Sequence, residues 1–262
     1  MIKSILPRKG GRFAGASVVR AEPLSPHMVR LTFKSDLAAG FAPDSSGGHI
    51  KLVLPKPGES GLPDTSMADF KTRMRTYTLR HVRPEQGEFD IDFVIHGDEG
   101  VAGPWAANAQ PGDVIAVSPP GMPKLITSNA DWFLVAADMS AIPAAAAGLE
   151  SLHASAVGEV FFEIMSEDDR QPVAAPAGVS IHWIVPDEGG PQSEKLIDAV
   201  RNLCWREGDP SVFVAGEFST VGTLRAYFRH ERQTAKSLTY ISSYWKHGLI
   251  EPEHKVAKAK AA

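Results

Sequence analysis

The 262-residue chain has a single cysteine, Cys204, and this scarcity limits the cofactors that it can hold. One thiol excludes an intrachain disulfide, and it excludes an iron–sulfur cluster or a zinc site with four cysteine ligands. The sequence also lacks an apolar run of about 18 residues that could span a bilayer, and it lacks the apolar block of a secretion signal. We therefore expect a cytoplasmic protein without membrane contact.

Long basic tracts are also missing, and the net charge is -4. The basic cluster of Lys255, Lys258 and Lys260 lies near the C-terminus, where a frayed, solvated end is the simplest expectation. Because no basic tract passes through a predicted folded region, nucleic acid is not an expected partner.

The first half of the chain has the pattern of short strands separated by turns. About six strands between Arg12 and Ser118 predict a closed antiparallel barrel. One of these strands, Met74–Arg80, carries an arginine, a tyrosine and two hydroxyls within four residues, namely Arg75, Thr76, Tyr77 and Thr78. A guanidinium pairs with phosphate, an aromatic ring lies along a flat heterocycle, and hydroxyls bond ring or sugar atoms. The segment is therefore a candidate site for an anionic, planar ligand, although a half-exposed structural strand is the commoner explanation.

A glycine-rich turn leading into a short helix follows over His96–Gln110. Backbone N–H groups at a helix start favour negative charge, so this segment is a candidate phosphate site. The pattern alone is weak evidence, because such turns are common. The candidate residues are His96, Gly97, Ala102, Gly103 and Trp105.

After Asp131 continuous apolar strands alternate with predicted helices over Ala141–Leu152, Ser193–Cys204 and Val221–Ala235. This alternation predicts a parallel α/β sheet, whose ligands lie at the carboxyl ends of the strands. Those ends are Ala137-Asp138-Met139-Ser140 and Gly216-Glu217. The G-x-G-x-x-G fingerprint is missing here, which argues against a tightly held Rossmann dinucleotide.

The segments quoted so far, and others in the same order along the chain, resemble the siderophore-interacting proteins, which are flavin-dependent ferric-siderophore reductases related to ferredoxin reductases. Seven segments carry the resemblance: Leu24–Thr32, Gly48–Leu52, Arg75–Arg80, Gly100–Ala106, Asp131–Ala144, Ala215–Glu217 and Tyr244–Gly248. The resemblance implies a two-domain ferredoxin-reductase-like fold. An antiparallel Greek-key β-barrel for flavin over residues 1–125 precedes an α/β parallel-sheet nicotinamide-binding domain over residues 126–245 and a tail over residues 246–262.

The resemblance also implies cofactors, partners and residue roles. FAD is the expected cofactor, NADH or NADPH the expected donor with a ferredoxin as another possible partner, and a ferric siderophore the expected substrate of a monomeric enzyme. The implied FAD contacts are Arg75, Thr76, Tyr77, Thr78, His96, Gly97, Ala102, Gly103, Trp105, Tyr244 and Trp245. The implied nicotinamide contacts are Ala137, Asp138, Met139, Ser140, Gly216 and Glu217. Lys51, Lys246 and Lys255 are the implied contacts of an anionic siderophore.

Electron transfer through a flavin needs no general acid, nucleophile or metal site from the protein, so no catalytic side chain and no metal ligand is expected. His49, His81 and His96 are accordingly expected to be structural histidines.

Departures from the family pattern leave alternatives open. Gly103 stands where relatives carry serine. The glycine, glutamate and threonine of the family are replaced here by Ala137, Met139 and Ser140. No arginine follows Trp183. NADH and NADPH are therefore not distinguished. The alternatives are a reductase for free flavin or another acceptor, and a flavoprotein that binds siderophores without catalysis.

Overall fold

The computed structural model describes residues 13–56, 58–66, 68–97, 100–123, 130–186, 193–249 and 251–260. The chain divides into two compact units. The first comprises Met1–Glu22 and Val29–Pro123, and the second comprises Pro23–Met28 and Lys124–Ala262. Within the described ranges no helix is both long and apolar enough to cross a membrane.

The first unit is built on a seven-stranded sheet with the order β4-β3-β7-β1-β2-β6-β5. The strands are β1 (Ala14–Ser25), β2 (Met28–Lys34), β3 (His49–Val53), β4 (Met74–Thr78), β5 (His81–Arg83), β6 (Glu88–Val94) and β7 (Val114–Val117). Pairing is antiparallel between β1 and β7, β3 and both of its neighbours, and β5 and β6. The sheet curls toward closure, because Tyr77 at one edge packs its ring 4.4 Å from the ring of Phe93 on β6. The predicted antiparallel barrel is confirmed, with the three-residue β5 as an additional strand.

The interior of this unit follows the two-residue period of its strands. Phe89, Ile91 and Phe93 on β6 are fully buried among the other apolar side chains of the sheet. The intervening Asp90 and Asp92 project from the opposite face of the strand. The alternation therefore separates an apolar interior from a charged outer face.

Asp90 is the centre of a polar network on that outer face. It accepts hydrogen bonds from the Thr32 hydroxyl at 2.7 Å and from Arg83 at 2.8 and 2.5 Å, and His81 Nδ1 lies 3.0 Å away. Burial favours the neutral acid, but these partners lower the pKa of Asp90 well below its usual range. His81 therefore has a structural role, as expected.

The second unit contains a five-stranded parallel sheet with the order β10-β9-β8-β11-β12, as the alternating pattern predicts. Its strands are β8 (Trp132–Asp138), β9 (Val157–Glu163), β10 (Gly178–Ile184), β11 (Pro210–Glu217) and β12 (Thr239–Trp245). The helices are α1 (Ala102–Ala107) in the first unit, and α2 (Ile142–Glu150), α3 (Glu194–Arg201), α4 (Phe218–Ala226) and α5 (Glu251–Lys260) in the second.

The start of α4 differs from the sequence prediction for a local reason. Helix α4 begins at Phe218, three residues before the predicted Val221, because the Glu217 carboxylate accepts hydrogen bonds from the backbone N–H groups of Ser219 and Thr220. Beyond Ala226 the chain continues as a π-helical turn over Tyr227–Glu231 instead of the predicted regular helix.

The expectation of a frayed C-terminus is wrong for the described residues, because α5 is docked on β12. His254 is buried and its Nε2 lies 2.9 Å from the Ser243 hydroxyl. Lys258 Nζ donates to the Ser242 hydroxyl at 2.6 Å and to the Ser243 carbonyl at 2.8 Å. These contacts give the helix specific partners in the sheet.

Asp169 lies in the Glu167–Asp169 segment, whose three consecutive acidic residues favour a solvated loop when the sequence is considered alone. It is instead fully buried and accepts hydrogen bonds from the Ser25 hydroxyl at 2.8 Å and the His27 backbone at 3.0 Å. His27 Nδ1 also lies 2.8 Å from its second oxygen. Asp169 thereby holds Pro23–Met28 within the second unit.

Candidate functional site

Strand β4 presents the predicted ligand-binding side chains of the first unit on two faces. Tyr77 pairs with Ile50 of β3, and Thr76 pairs with Lys51. Because successive side chains alternate, Arg75 and Tyr77 share one face, and Thr76 and Lys51 share the other. Tyr77 is half-buried against the core and Thr76 is exposed. Thr78, the last residue of the strand, is buried.

Arg75 keeps an unneutralised positive charge. Its guanidinium donates to two backbone carbonyls, of Thr72 at 2.7 Å and of Met74 at 3.0 Å. Among the described residues no carboxylate contacts Arg75, whereas nearby Arg73 lies 3.7 Å from Glu59. Arg75 is therefore held in place by neutral acceptors, with its charge available to an anion.

The turn between β6 and α1 contains the remaining candidates of the first unit. His96 and Gly97 are exposed, and Gly97 adopts a left-handed conformation with φ of 53°. Ala102 and Gly103 are buried in the first turn of α1, while Trp105 is half-buried and stacks on Phe33 at a centroid distance of 6.4 Å. A Cβ added to Gly103 would lie 3.5 Å from the Val94 carbonyl oxygen, an ordinary contact. The backbone at Gly103 therefore has room for a Cβ.

The carboxyl end of β8 forms the centre of the candidate site in the second unit. Asp138 Oδ1 accepts hydrogen bonds from the Ser140 backbone at 2.9 Å and the Ser140 hydroxyl at 2.5 Å. Its Oδ2 accepts from the Trp245 indole N–H at 2.7 Å. Burial raises the pKa of Asp138, although the hydrogen bonds from Ser140 and Trp245 oppose the rise. Ala137 and Met139, the neighbours of Asp138, are buried.

Gly216 allows the ends of β8 and β11 to approach each other. It has a φ of +148°, and a Cβ at this position would lie 2.5 Å from Asp138 Oδ2. The following residue, Glu217, caps α4 and also accepts from the His247 backbone at 3.4 Å. At the carboxyl ends of the parallel strands, the structure therefore brings together the predicted residues Asp138, Gly216, Glu217 and Trp245.

Glu163 is a third acidic residue at this edge, and sequence reasoning missed it. It is the last residue of β9 and pairs directly with Asp138 of β8. Its Oε2 is buried and has no hydrogen-bond partner among the described residues. Burial and the charges of Asp138 and Glu217 raise the pKa of Glu163 to about 7, against an opposing hydrogen bond from Ser193. Glu163 thus holds a proton in the folded protein at slightly acidic pH.

Comparison with known proteins decides the family. Residues 17–124 match the siderophore-interacting FAD-binding domain, and residues 130–248 match the siderophore-interacting protein. The chain belongs to the siderophore-interacting protein family. It is 34% identical over 243 residues to the ferric vibriobactin reductase ViuB of Vibrio cholerae, covering 89% of each chain. It is 28% identical over 250 residues to the NADPH-dependent ferric-chelate reductase of Escherichia coli, covering 89% of this chain and 93% of the relative.

A solved structure from the same family supports the assignment. The siderophore-interacting protein SipS from Aeromonas hydrophila superposes with a TM-score of 0.82 at 31% identity, covering 95% of this chain and 97% of SipS. A ferredoxin-NADP+ reductase from Plasmodium falciparum, at 15% identity and a TM-score of 0.65, shares the fold. The predicted ferredoxin-reductase-like fold is therefore confirmed.

The residues of this siderophore-interacting protein fit FAD in the first unit. The family match places an FAD-binding domain there, and the charge of Arg75 together with the half-buried ring of Tyr77 suits an anionic ligand with a flat ring. Tyr244, in the second unit, is half-buried, and burial with a hydrogen bond to Tyr240 raises its pKa well above the ordinary value. Its hydroxyl is therefore neutral across the physiological range.

The three lysines expected at the siderophore lie in different settings. Lys51 is half-buried on β3, in the first unit. In the second unit, Lys246 Nζ lies 4.5 Å from the centre of the Phe218 ring, and Lys255 Nζ lies 2.5 Å from Glu251 on the same helix. Lys258 Nζ donates to the Ser242 hydroxyl on β12, so its contacts differ from those of Lys255. Across the described ranges no group of three His, Cys, Asp or Glu side chains could hold a metal ion.

Replacing Glu163 with glutamine should stabilise the protein at high pH. Since the folded-state pKa of about 7 lies above the ordinary 4.5, folding stability is lost as the pH rises from about 4.5 through 7. We expect Glu163→Gln to raise the free energy of unfolding by about 1–3 kcal/mol at pH 8 and by much less at pH 5. Urea denaturation at both pH values measures the difference. Glu207→Gln, an exposed control in the same unit, should show none, and an equal effect of Glu163→Gln at both pH values would contradict the assignment.

Proposed function

We propose that this protein reduces ferric siderophores and releases Fe(II), with electrons drawn from NAD(P)H or a ferredoxin through FAD. The observation that carries the proposal is Arg75, a guanidinium without a carboxylate partner among the described residues, next to Tyr77 in a domain that matches an FAD-binding family. The ferric-reductase names of two relatives support the same activity.

Each of the two units contributes its own residues to the proposed electron transfer. In the first unit Arg75 would pair with a phosphate of FAD, and Tyr77 would lie along the flavin ring. In the second unit Gly216 and the Asp138–Trp245 hydrogen bond shape the carboxyl edge of the sheet, where a nicotinamide donor would bind. FAD, when bound, supplies the conversion of a two-electron donor into one-electron reduction steps.

Release of iron follows from the charge of the metal. Each Fe(III) takes up one electron and becomes Fe(II), which has a lower charge and binds the hard oxygen ligands of a siderophore more weakly. The protein therefore has to bind an anionic complex and deliver an electron, without a nucleophile or a general acid. Lys51, beside the exposed Thr76, is the contact that we propose in the first unit for that anion.

Anaerobic capture of Fe(II) tests the activity. Protein loaded with FAD, a ferric catecholate siderophore, NADH or NADPH, and a coloured ferrous chelator should produce the ferrous complex at a rate proportional to protein concentration. Free FAD at the same concentration is the control. Reduction no faster than with free FAD, using either nicotinamide and also a chemically reduced ferredoxin, would contradict the proposal.

Lys51→Ala should weaken siderophore binding without loss of flavin. Removing one positive charge from the contact surface should raise KM for an anionic ferric siderophore about three- to tenfold, with FAD content unchanged. Steady-state kinetics at two salt concentrations measures the change, which should shrink at high salt because salt screens charges that solvent can reach. Lys34→Ala, at the exposed end of β2, is the control. An unchanged KM would remove Lys51 from the substrate site.

A further inference from the structure

Strand β10 forms one edge of the parallel sheet in the second unit. It is the outer strand in the order β10-β9-β8-β11-β12, and it pairs with β9 in one continuous register from Gly178 to Ile184. Edge strands of natural proteins usually carry a lysine, a proline or a bulge, which prevents pairing with another chain. None of these occurs in β10, whose sequence GVSIHWI consists mostly of β-branched and aromatic residues. The strand therefore keeps the capacity to pair with a further strand.

The opposite edge of the same sheet is protected. Helix α5 packs on β12, and Lys258 Nζ donates a hydrogen bond to the Ser243 carbonyl of that strand. The pairing of β12 with β11 also changes register between Gly216 and Glu217. Among the described elements, by contrast, β10 has extensive contacts with β9 alone. The two edges of the sheet therefore differ in how well they are covered.

The backbone groups of β10 that face away from β9 belong to alternate residues. The Ile184 carbonyl accepts a hydrogen bond from the Ile164 N–H at 2.9 Å, so Ile184 faces β9, as do the residues at even positions before it. Val179, Ile181 and Trp183 therefore direct their N–H and C=O groups to the edge. In the described part of the chain, the N–H groups of Ile181 and Trp183 form no other backbone hydrogen bond.

The sequence of β10 is complementary to itself in antiparallel register. When Ile181 lies opposite Ile181 of a second copy, Val179 lies opposite Trp183, and Ser180 lies opposite His182. Cross-strand pairs of a β-branched and an aromatic side chain are stabilising, and a serine hydroxyl can bond an imidazole nitrogen. His182 is the titratable side chain of the strand, and it does not face its own copy. The register therefore brings no like charges together.

The side chains beside this edge are already held by contacts within the second unit. The ring of His182 stacks on Phe161 at a centroid distance of 4.9 Å, and its Nε2 lies 2.8 Å from Glu159. On the other face, the rings of Trp183 and Phe162 are 5.3 Å apart. Pairing with a second copy therefore requires little further ordering of β10.

We propose that two copies of this protein associate through β10, in antiparallel register about a two-fold axis at Ile181, and so join their five-stranded sheets into one. The two Ile181 residues exchange a pair of hydrogen bonds, and each Trp183 N–H donates to the Val179 carbonyl of the other copy. The Val179 N–H adds none, because it already donates to the Pro176 carbonyl at 2.9 Å. A contact this small makes the dimer weak and reversible, in place of the monomer that the family resemblance implies.

The antiparallel register also determines where the two candidate sites lie. Since the paired strands run in opposite directions, the carboxyl ends of the two sheets lie at opposite edges of the joined sheet. The groups around Asp138 and Gly216 in one copy are thus separate from those in the other. Association should leave the activity per flavin unchanged, and the inference does not depend on the proposed reductase activity.

Sedimentation velocity of the purified protein at concentrations from about 10 µM to about 500 µM tests the association. The weight-average mass should rise from 28.2 kDa toward twice that value. Ile181→Pro removes the N–H at the axis, which the pairing with β9 does not use, and should keep the mass at 28.2 kDa with an unchanged circular dichroism spectrum. Ile181→Val should associate like the unsubstituted protein. A mass of 28.2 kDa at every concentration, or undiminished association of Ile181→Pro, would overturn the inference.

Disulfide crosslinking tests the register. In a Cys204→Ser background, Ile181→Cys places two thiols on residues whose Cα atoms are about 5.5 Å apart across the axis, within the range of a disulfide. Oxidation with copper phenanthroline should give at least fivefold more covalent dimer for Ile181→Cys than for Val179→Cys, whose copies are about 14 Å apart along the strands. Equal crosslinking of the two variants would indicate parallel or non-specific pairing. Either that result or an association without crosslinking of Ile181→Cys would refute the proposed interface.

Discussion

Arg75→Ala should release FAD from the protein. A hydrogen-bonded pair between a guanidinium and a phosphate contributes about 1.5–3 kcal/mol, so we expect the dissociation constant of FAD to rise roughly 10- to 100-fold. The free energy of unfolding of the apoprotein should change little, because the acceptors of Arg75 among the described residues are the backbone carbonyls of Thr72 and Met74. Flavin fluorescence titration of the apoprotein and a parallel urea denaturation measure the two quantities.

The matched control for this substitution is Arg20→Ala on β1. Arg20 is exposed, and its guanidinium lies 4.0 Å from the Glu88 carboxylate, so its removal should leave FAD affinity unchanged. Arg75→Lys keeps the charge but loses the planar fork of donors, and should therefore bind FAD with intermediate affinity. If Arg75→Ala bound FAD as tightly as the unsubstituted protein, Arg75 would not be a cofactor contact.

Gly216→Ala should disrupt the carboxyl edge of the parallel sheet. The new Cβ would lie 2.5 Å from Asp138 Oδ2 and 2.7 Å from its Cγ, and the φ of +148° disfavours any residue with a side chain. The Asp138 carboxylate must turn away and lose the hydrogen bond from Trp245. We expect a loss of about 2–4 kcal/mol in the free energy of unfolding of the second unit, with weaker nicotinamide binding.

Two further variants separate the effect of strain at Gly216 from the effect of losing the hydrogen bond between Trp245 and Asp138. Gly222 lies inside α4, where an added Cβ would meet none of the described residues outside the local helical backbone within 4 Å, so Gly222→Ala should be neutral or stabilising by up to about 1 kcal/mol. In a Trp245→Phe background, Gly216→Ala should cost less, because the hydrogen bond to Asp138 is already absent. Equal costs in both backgrounds would show that the strain does not act through Asp138.

The parts of the fold that local pattern determines could be predicted from the sequence. Alternating residues on β6 and the continuous apolar run of β8 identify an antiparallel and a parallel sheet, and the residues around Arg75 identify the strand β4. The helix at the C-terminus could have been predicted as well, because Glu251 and Lys255 have the spacing of a helical ion pair.

Contacts between segments that are distant in the sequence could not be predicted from local sequence pattern. Asp169 is buried because His27, 142 positions away, lies against it, and nothing local distinguishes it from the neighbouring acids. In the sequence Glu163 is only the last residue of a predicted strand. Its position beside Asp138 follows from the register of β9 against β8. The pKa of Glu163 and its unpartnered oxygen follow from that pairing and from burial, both of which are properties of the folded sheet.

The central claim is that this protein carries electrons from a donor through FAD to a ferric siderophore, and anaerobic stopped-flow absorbance tests it most directly. The flavin absorbance of the FAD-loaded protein should bleach with NADH or with NADPH, and return when a ferric siderophore is added. A flavin that ignores both nicotinamides but is reoxidised by the siderophore after chemical reduction would point to a ferredoxin as donor. A reduced flavin that the ferric siderophore does not reoxidise, or a purified protein that binds no flavin at all, would contradict the account.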